Sequence, residues 1–265
     1  MKKIAIIGAG LSGITLALLL NPKLQIDIFE KSRGPGGRMA TKRKYPFIFD
    51  HGATNFSINS PDFKNFLKPL FSKNIIKPWV CKYAKFKSNN IIEKKEWLCR
   101  DNHYVGVPNM NSIVKFLSEQ CNVLLNKKIN KITMINHKWN LCDENNKEYN
   151  NYDWVVCSMP AEQVCTLIPK KISFYSSLKS IKMHGCYSLM LGLNNPINLQ
   201  YDIIHIVNHA INSISVNSSK PGRNNKFSLV IKSSYKWTKK NINSSETKLI
   251  ENLLSLSKEF INLNL

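Results

Sequence analysis

The chain opens with two lysines and an apolar run, Ile4-Ala5-Ile6-Ile7, which breaks at Gly8-Ala9-Gly10 and resumes from Leu11 to Leu20. Four apolar positions in a row predict a strand buried on both faces, as in a parallel sheet covered by helices. The longer run after the glycines predicts a helix beginning near Leu11. A second strand-like run, Gln25 to Phe29, then ends in Glu30. The same N-terminal letters could form the charged and apolar parts of a secretory leader, but Asn21-Pro22-Lys23-Leu24-Gln25 offers no small-residue cleavage pattern, so the run is read as structure.

Further along, Pro61 to Ser72 has helical spacing, with Phe63, Phe66, Leu67 and Leu70 on one face. Trp79 to Trp97 alternates enough to predict antiparallel strands, and Asn111 to Gln120 predicts a helix entered from a Pro-Asn turn. Trp154 to Cys157 reads as another short buried strand. Met183, Tyr187, Leu189, Leu191 and Leu193 fall on the alternate positions of a half-buried sheet. Ser244 and Ser245 precede a helix to about Phe260, with Leu249, Ile250, Leu253 and Leu254 as its stripe. The expected class is α/β: a Rossmann-like nucleotide domain with a parallel sheet (residues 1–75 and 105–165), interrupted by an antiparallel-sheet substrate domain (76–104 and 166–243) and followed by a C-terminal helix, 244–265.

Composition narrows the function classes. A chain of 265 residues with 43% hydrophobic content is globular, and no later apolar run approaches the ~18 residues that cross a bilayer. Its net charge of +21 invites a nucleic-acid reading. No basic block interleaved with aromatics supports it, so lysines scattered over solvated faces are the expectation, with neither nucleic acid nor membrane as partner. Seven dispersed cysteines, none in a C-x-x-C arrangement, argue against a disulfide framework and suit a reducing cytoplasm. His205 and His209 have metal-pair spacing without the accompanying acid, and no metal is expected.

Gly8-Ala9-Gly10-Leu11-Ser12-Gly13 carries the candidate chemistry. Between a strand and a helix, the first glycine permits a tight turn, the second lets a pyrophosphate approach the backbone, and the third lets the helix pack closely on the sheet. The helix N-terminus, with Leu11 and Ser12 in its first turn, then faces the phosphate charge. Glu30 lies about 20 residues further on, where a carboxylate meets the adenosine ribose. The next loop, Lys31-Ser32-Arg33-Gly34-Pro35-Gly36-Gly37-Arg38, would run beside the nucleotide, where bare glycine backbone and a guanidinium suit phosphates.

IAIIGAGLSGITLALLL, IFEKSRGPGGRMATKR, FDHGATNF, YVGVPNMNSI, YDWVVCSMPAEQV and SVNSSKPGR together resemble the flavin-dependent amine oxidoreductases, specifically their bacterial renalase-like branch. The resemblance implies FAD, with Gly8, Gly10 and Gly13 at the pyrophosphate and Glu30 at the ribose. Gly36, Gly37 and Arg38 would run beside the phosphates and ribityl chain, with Met39 and Ala40 continuing towards the flavin. Ile129 falls where a backbone group meets the adenine, and the stretch Asp50-His51-Gly52-Ala53 falls near the isoalloxazine ring. Ser158 stands where the family more often has alanine. Candidate substrate-side groups are His51, Asn217, Ser218, Lys220 and Arg223, the last two able to hold a substrate phosphate.

The implied activity is hydride transfer from a small molecule, a dihydronicotinamide isomer of NAD(P)H or an amine, to the flavin, with O2 as final acceptor. Family members continue past the last helix into a Gly-Asp segment that binds FAD and covers the parallel sheet, and no such motif is found here. Two alternatives therefore stand beside the flavoenzyme: a non-catalytic remnant of the family, or an NAD-dependent reductase in which Glu30 would disfavour a 2′-phosphate.

Overall fold

The computed structural model describes residues 1–20 and 22–261; Asn21, and the positions 262–265 that end the expected C-terminal segment, lie outside the described residues. The chain divides into two units, Met1–Met39 with Ile113–Met183, and Ala40–Ser112 with His184–Leu265. The crossings fall at 39/40, 112/113 and 183/184, whereas the hydrophobic pattern put them at 75/76, 104/105 and 165/166. The first crossing comes early because of a hairpin that is too short to show periodicity. Its strands Lys42–Lys44 and Phe47–Phe49 belong to the second unit, where the Phe47 ring fills the space beside Gly192.

In the first unit, the opening run forms the strand Lys3–Ile7, inside a four-stranded parallel sheet. It pairs with Gln25–Phe29 on one side and Trp154–Cys157 on the other, and Val123–Leu124 extends the sheet beyond Gln25–Phe29. Ala5, Ile7 and Phe29 face a core completed by Ile129, Ile132, Leu141 and Tyr152. Those residues come from a three-stranded antiparallel sheet, Ile129–Ile135, Lys138–Asp143 and Glu148–Tyr152. Ile6 and Ile14 are fully buried where the helix Leu11–Leu19 covers the opposite face. Each such side chain stabilises the fold by about 1.5–3 kcal/mol.

The strand Trp154–Cys157 exists but is not buried as expected: Trp154 is 60% exposed and its neighbours are half-buried. It is the sheet's edge, paired on one side only. Beside it Ile4, Leu16, Leu20, Leu24, Trp154 and Val156 line an apolar groove of ≈ 330 Å³.

In the second unit a six-stranded sheet runs in the order Ser188–Gly192, Ser228–Ser233, Ile211–Val216, Ile203–Val207, Cys81–Lys87, Asn90–Trp97. Its pairings are antiparallel except Ile203–Val207 against Cys81–Lys87, so the expected antiparallel sheet is mixed at one seam. The strand predicted from Met183 begins only at Ser188. Its partner strand ends at Ser233, where Ser234 caps the helix Tyr235–Lys240 and leaves no ladder to continue. The helix Glu246–Ser257, capped by Ser245, lays Leu253 on a core of Ile204, Ile214, Leu229 and Ile231. Ile250, placed on the same stripe by the sequence pattern, is 38% exposed. Trp79 is fully buried and meets Trp97 edge-on at 6.0 Å, and Tyr187 meets Trp237 edge-on at 6.2 Å, so these rings serve packing. Among the described residues no helix is long and apolar enough to cross a membrane.

Candidate functional site

The glycine turn has the geometry its sequence asks for. Gly8 has φ +109°, and a Cβ there would come 2.6 Å from the Ser158 carbonyl oxygen. A Cβ at Gly13 would come 2.2 Å from the Gly8 oxygen, so only glycine lets the helix start this close to the strand. Gly10 differs: its backbone is ordinary (φ −77°), and a Cβ would lie 3.9 Å from the Gly37 Cα, an unstrained contact. Gly10 is therefore not needed for packing inside the chain. Facing it, Gly36 donates its N–H to the Ala9 oxygen at 3.0 Å and pairs with Gly10 as a parallel bridge, while Gly37 has φ +52°. Two glycine segments thus lie against each other at the N-terminus of Leu11–Leu19. That terminus has no side-chain cap and no acid in its first turn.

Glu30 is 7% exposed, and its carboxylate is held from two sides: Oε2 accepts the Ala9 N–H at 2.9 Å and Oε1 the Ser32 N–H at 2.9 Å. It ties the first glycine turn to the second loop. A carboxylate has about four acceptor positions, so both oxygens retain capacity for a ligand hydroxyl. The Lys127 N–H reaches the Glu30 carbonyl at 2.8 Å, and two residues on, Ile129 is buried with Ala5 and Phe29. Ser12, Lys31 and Arg38 are exposed, Leu11 and Met39 half-buried. Lys31 Nζ reaches Gln163 Oε1 at 3.4 Å. Ala40 belongs to the second unit.

There the candidate substrate-side residues gather around Asp50. Its side chain is wholly buried, and Oδ2 meets Arg223 Nη2 at 2.5 Å and Lys220 Nζ at 3.3 Å. Oδ1 accepts the Met110 N–H at 3.0 Å and the Thr41 hydroxyl at 2.9 Å. Asn217 joins the same group, accepting from Lys220 Nζ at 3.1 Å and the Asp50 N–H at 3.3 Å. Arg223 also donates to the carbonyls of Gly106 and Pro221, and its buried Nε has no partner among the described residues. Ser218 accepts from the Ser228 N–H. Burial alone would raise the Asp50 carboxyl, but the Lys220 and Arg223 charges and the Met110 amide outweigh it, and the group lies below the usual carboxylate range. Burial drives Lys220 the other way, down to about 8, against the pull of Asp50. Lys220 and Arg223 are thus enclosed and engaged by a carboxylate of the chain itself.

His51 is half-buried; burial and then the charges of Lys232 and Lys42 lower its pKa, so it is neutral near pH 7. Its carbonyl accepts from the Ser188 hydroxyl at 3.1 Å. The residues beside it that the sequence reading did not single out are Lys232, Thr54 and Ser188. Lys232 Nζ donates to the Gly52 carbonyl, and to the Thr54 hydroxyl at 3.0 Å. The available signal was a lysine directly after the apolar run Leu229-Val230-Ile231. Among the described residues no group of three or more His, Cys, Asp or Glu is arranged to hold a metal ion. His209 instead lies 3.6 Å from Glu259.

Comparison with known proteins bears on the same regions. The family described as NAD(P)-binding Rossmann-like domain matches residues 6–70, which contain both glycine segments and Glu30. Among solved structures, 97% of the chain superposes on 83% of a protein from Exiguobacterium sp. 255-15, provisionally named protoporphyrinogen oxidase, at 12% identity and a TM-score of 0.75. Putrescine oxidase bound to putrescine is matched by 98% of the chain over 81% of its own length, at 11% identity and a TM-score of 0.72. The chain has the fold of putrescine oxidase. In sequence, mouse renalase (Mus musculus) is 24% identical over 208 residues, 72% of this chain and 58% of renalase, so the chain spans less than two thirds of that relative. Coproporphyrinogen III oxidase from Staphylococcus aureus (strain NCTC 8325 / PS 47) is 36% identical over 58 residues, 21% of this chain and 12% of that one.

Proposed function

We propose that the chain binds FAD and is a renalase-like oxidoreductase, oxidising a dihydronicotinamide isomer of NAD(P)H, or an amine, with O2 as acceptor. The observation that carries the reading is the pair of glycine segments bonded to each other at an uncapped helix N-terminus, Gly8-Ala9-Gly10 against Gly36-Gly37, with Glu30 holding both. A dinucleotide fits this donor set. The bare backbone at Gly10 and Gly37 admits phosphate oxygens, the helix N-terminus of Leu11, Ser12 and Gly13 offers N–H donors and a positive dipole end, and Glu30 can accept from a ribose hydroxyl. Arg38, exposed beside this turn, adds a guanidinium for the phosphates. The second glycine segment favours FAD over NAD, because a single nicotinamide turn does not call for it.

When bound, FAD supplies the hydride acceptor and passes electrons to O2; the chain's own work is to bind, orient and exclude water. The enclosed Asp50–Lys220–Arg223 group would shape the substrate side without contributing a free acid or base, whereas His51, neutral at pH 7, would keep a ring nitrogen able to accept a proton. The test is the visible absorption spectrum of the desalted protein, with identification of the cofactor released on denaturation. A flavin spectrum with FAD released is the expected result. A colourless protein that takes up no added FAD leaves the remnant reading in its place, and retention of NAD alone leaves the reductase.

A further inference from the structure

One face of the six-stranded sheet is used by the core, where Ile204, Ile214 and Ile231 meet the helix Glu246–Ser257. Successive residues of a strand point to opposite faces, so His205, Ser213 and Lys232 point the other way. Register joins them into one row: Ser188 opposite Lys232, Lys232 opposite Ser213, Ser213 opposite His205, and His205 opposite Lys85. The row is polar, and from Ser188 to Lys85 its charges are cationic. Its acid, Glu93, stands at the far edge opposite Lys85 and is bound to Lys95 at 2.7 Å.

Lys232, like Lys85, is half-buried in this row, and its surroundings are unbalanced. Its head meets the Gly52 carbonyl and the Thr54 hydroxyl, two neutral acceptors for three N–H donors. Among the described residues no carboxylate lies within ion-pairing distance of it; Asp50, the buried acid nearby, is taken by Lys220 and Arg223. A cation partly removed from water without a counter-charge is costly, and an anion accepting its remaining N–H offsets that cost. An amine arriving at the same place would face the like charge of Lys232.

We propose that Lys232, with the Thr54 hydroxyl beside it, holds an anionic oxygen group of the substrate, a phosphate or carboxylate, and so selects anionic substrates over amines. This rests on the reading of the second unit as the substrate-binding one. The test is calorimetric titration of the purified full chain with benzoate and with benzylamine, which share a ring and differ in charge. The wild type should bind benzoate about tenfold or more tighter than benzylamine. Lys232→Met should erase the preference, Lys232→Arg keep it, and Lys94→Met, which removes an equal charge at the exposed sheet edge, leave it intact.

Equal binding of the two probes, binding of neither, or a preference that survives in a folded K232M overturns the assignment; if K232M does not fold, the wild-type comparison decides. Flavin content is measured separately on the same preparations. A flavin-free chain that still prefers benzoate overturns the oxidoreductase reading and keeps the anion site, whereas a flavin-bearing chain without the preference does the reverse.

Discussion

Gly8, Gly10 and Gly13 look equivalent in the motif and are not equivalent in space. A methyl at Gly13 collides with backbone at 2.2 Å, whereas one at Gly10 meets only the Gly37 Cα at 3.9 Å. Gly13→Ala should therefore destabilise the chain by about 1–3 kcal/mol through overpacking. Gly10→Ala should change stability by less than about 0.5 kcal/mol yet reduce the retained flavin several-fold, because its methyl occupies the phosphate approach. Urea midpoints read beside absorbance per mole of protein separate the two, and a G10A chain with full flavin would show that the turn does not hold the cofactor. Asp50 makes the complementary case. Asp50→Asn leaves Lys220 and Arg223 enclosed without their carboxylate and should cost about 3–5 kcal/mol in urea unfolding. The two titrations of this group act over different pH ranges. Asp50 is lowered from 3.8, so its contribution is present above that value and lost as pH falls through its folded value. Lys220 is lowered from 10.5 to about 8, so between those values the unfolded chain binds more protons and stability rises with pH. Unfolding midpoints at pH about 7.5 and about 9.5 should show that rise in wild type and a smaller one in Lys220→Met; equal changes in both would remove Lys220 as the cause.

Elements whose evidence is local were legible in the sequence. Pro61–Ser72 lies where its apolar stripe put it, and the Ser60 hydroxyl caps it by accepting the Phe63 N–H. Lys3–Ile7, Leu11–Leu19 and Gln25–Phe29 could be read because a strand, a glycine turn and a helix each leave a mark within a few residues. The six-stranded sheet was legible only as alternation: the parallel seam between Ile203–Val207 and Cys81–Lys87 joins segments more than a hundred residues apart, and periodicity carries no information about partners. The same holds for the site. Glu30 could be placed by counting, whereas the pairing of Asp50 with Lys220 and Arg223 spans 170 and 173 positions. Burial within one helix shows what the pattern leaves out. Leu253 is 2% exposed and Ile250 38%, although both fit the stripe of Glu246–Ser257. Leu253→Ala should cost about 2–5 kcal/mol, and Ile250→Ala under about 1 kcal/mol. Similar losses for both in urea unfolding would mean that the helix packs through a wider face than Leu249 and Leu253.

At the scale of the whole molecule the dominant fact is charge. Seventeen carboxylates face 38 lysines and arginines, so even complete pairing would leave the whole net +21 unmatched. Several of the carboxylates are moreover committed to buried roles: Asp50 to Lys220 and Arg223, Glu30 to backbone amides, and Asp27 to the Tyr152 hydroxyl at 2.7 Å. The surface therefore carries a positive field that repels itself in the folded state more than in the expanded one. Screening length shrinks from about 30 Å at 0.01 M salt to about 8 Å at 0.15 M, and the repulsion between distant lysines should fade over that range, while the enclosed Asp50 group is screened far less. Melting temperature should then rise as sodium chloride is raised from about 0.01 to 0.15 M and level off beyond it. A multivalent anion such as pyrophosphate should raise it further at equal ionic strength if the glycine turn or Lys232 takes the anion, since binding to the folded state adds to screening. A melting temperature that falls with sodium chloride would mean that surface ion pairs such as Lys128–Glu144, 3.6 Å apart, outweigh the excess charge. Equal effects of chloride and pyrophosphate at matched ionic strength would assign the charge to general repulsion alone and remove stability as evidence for an anion site.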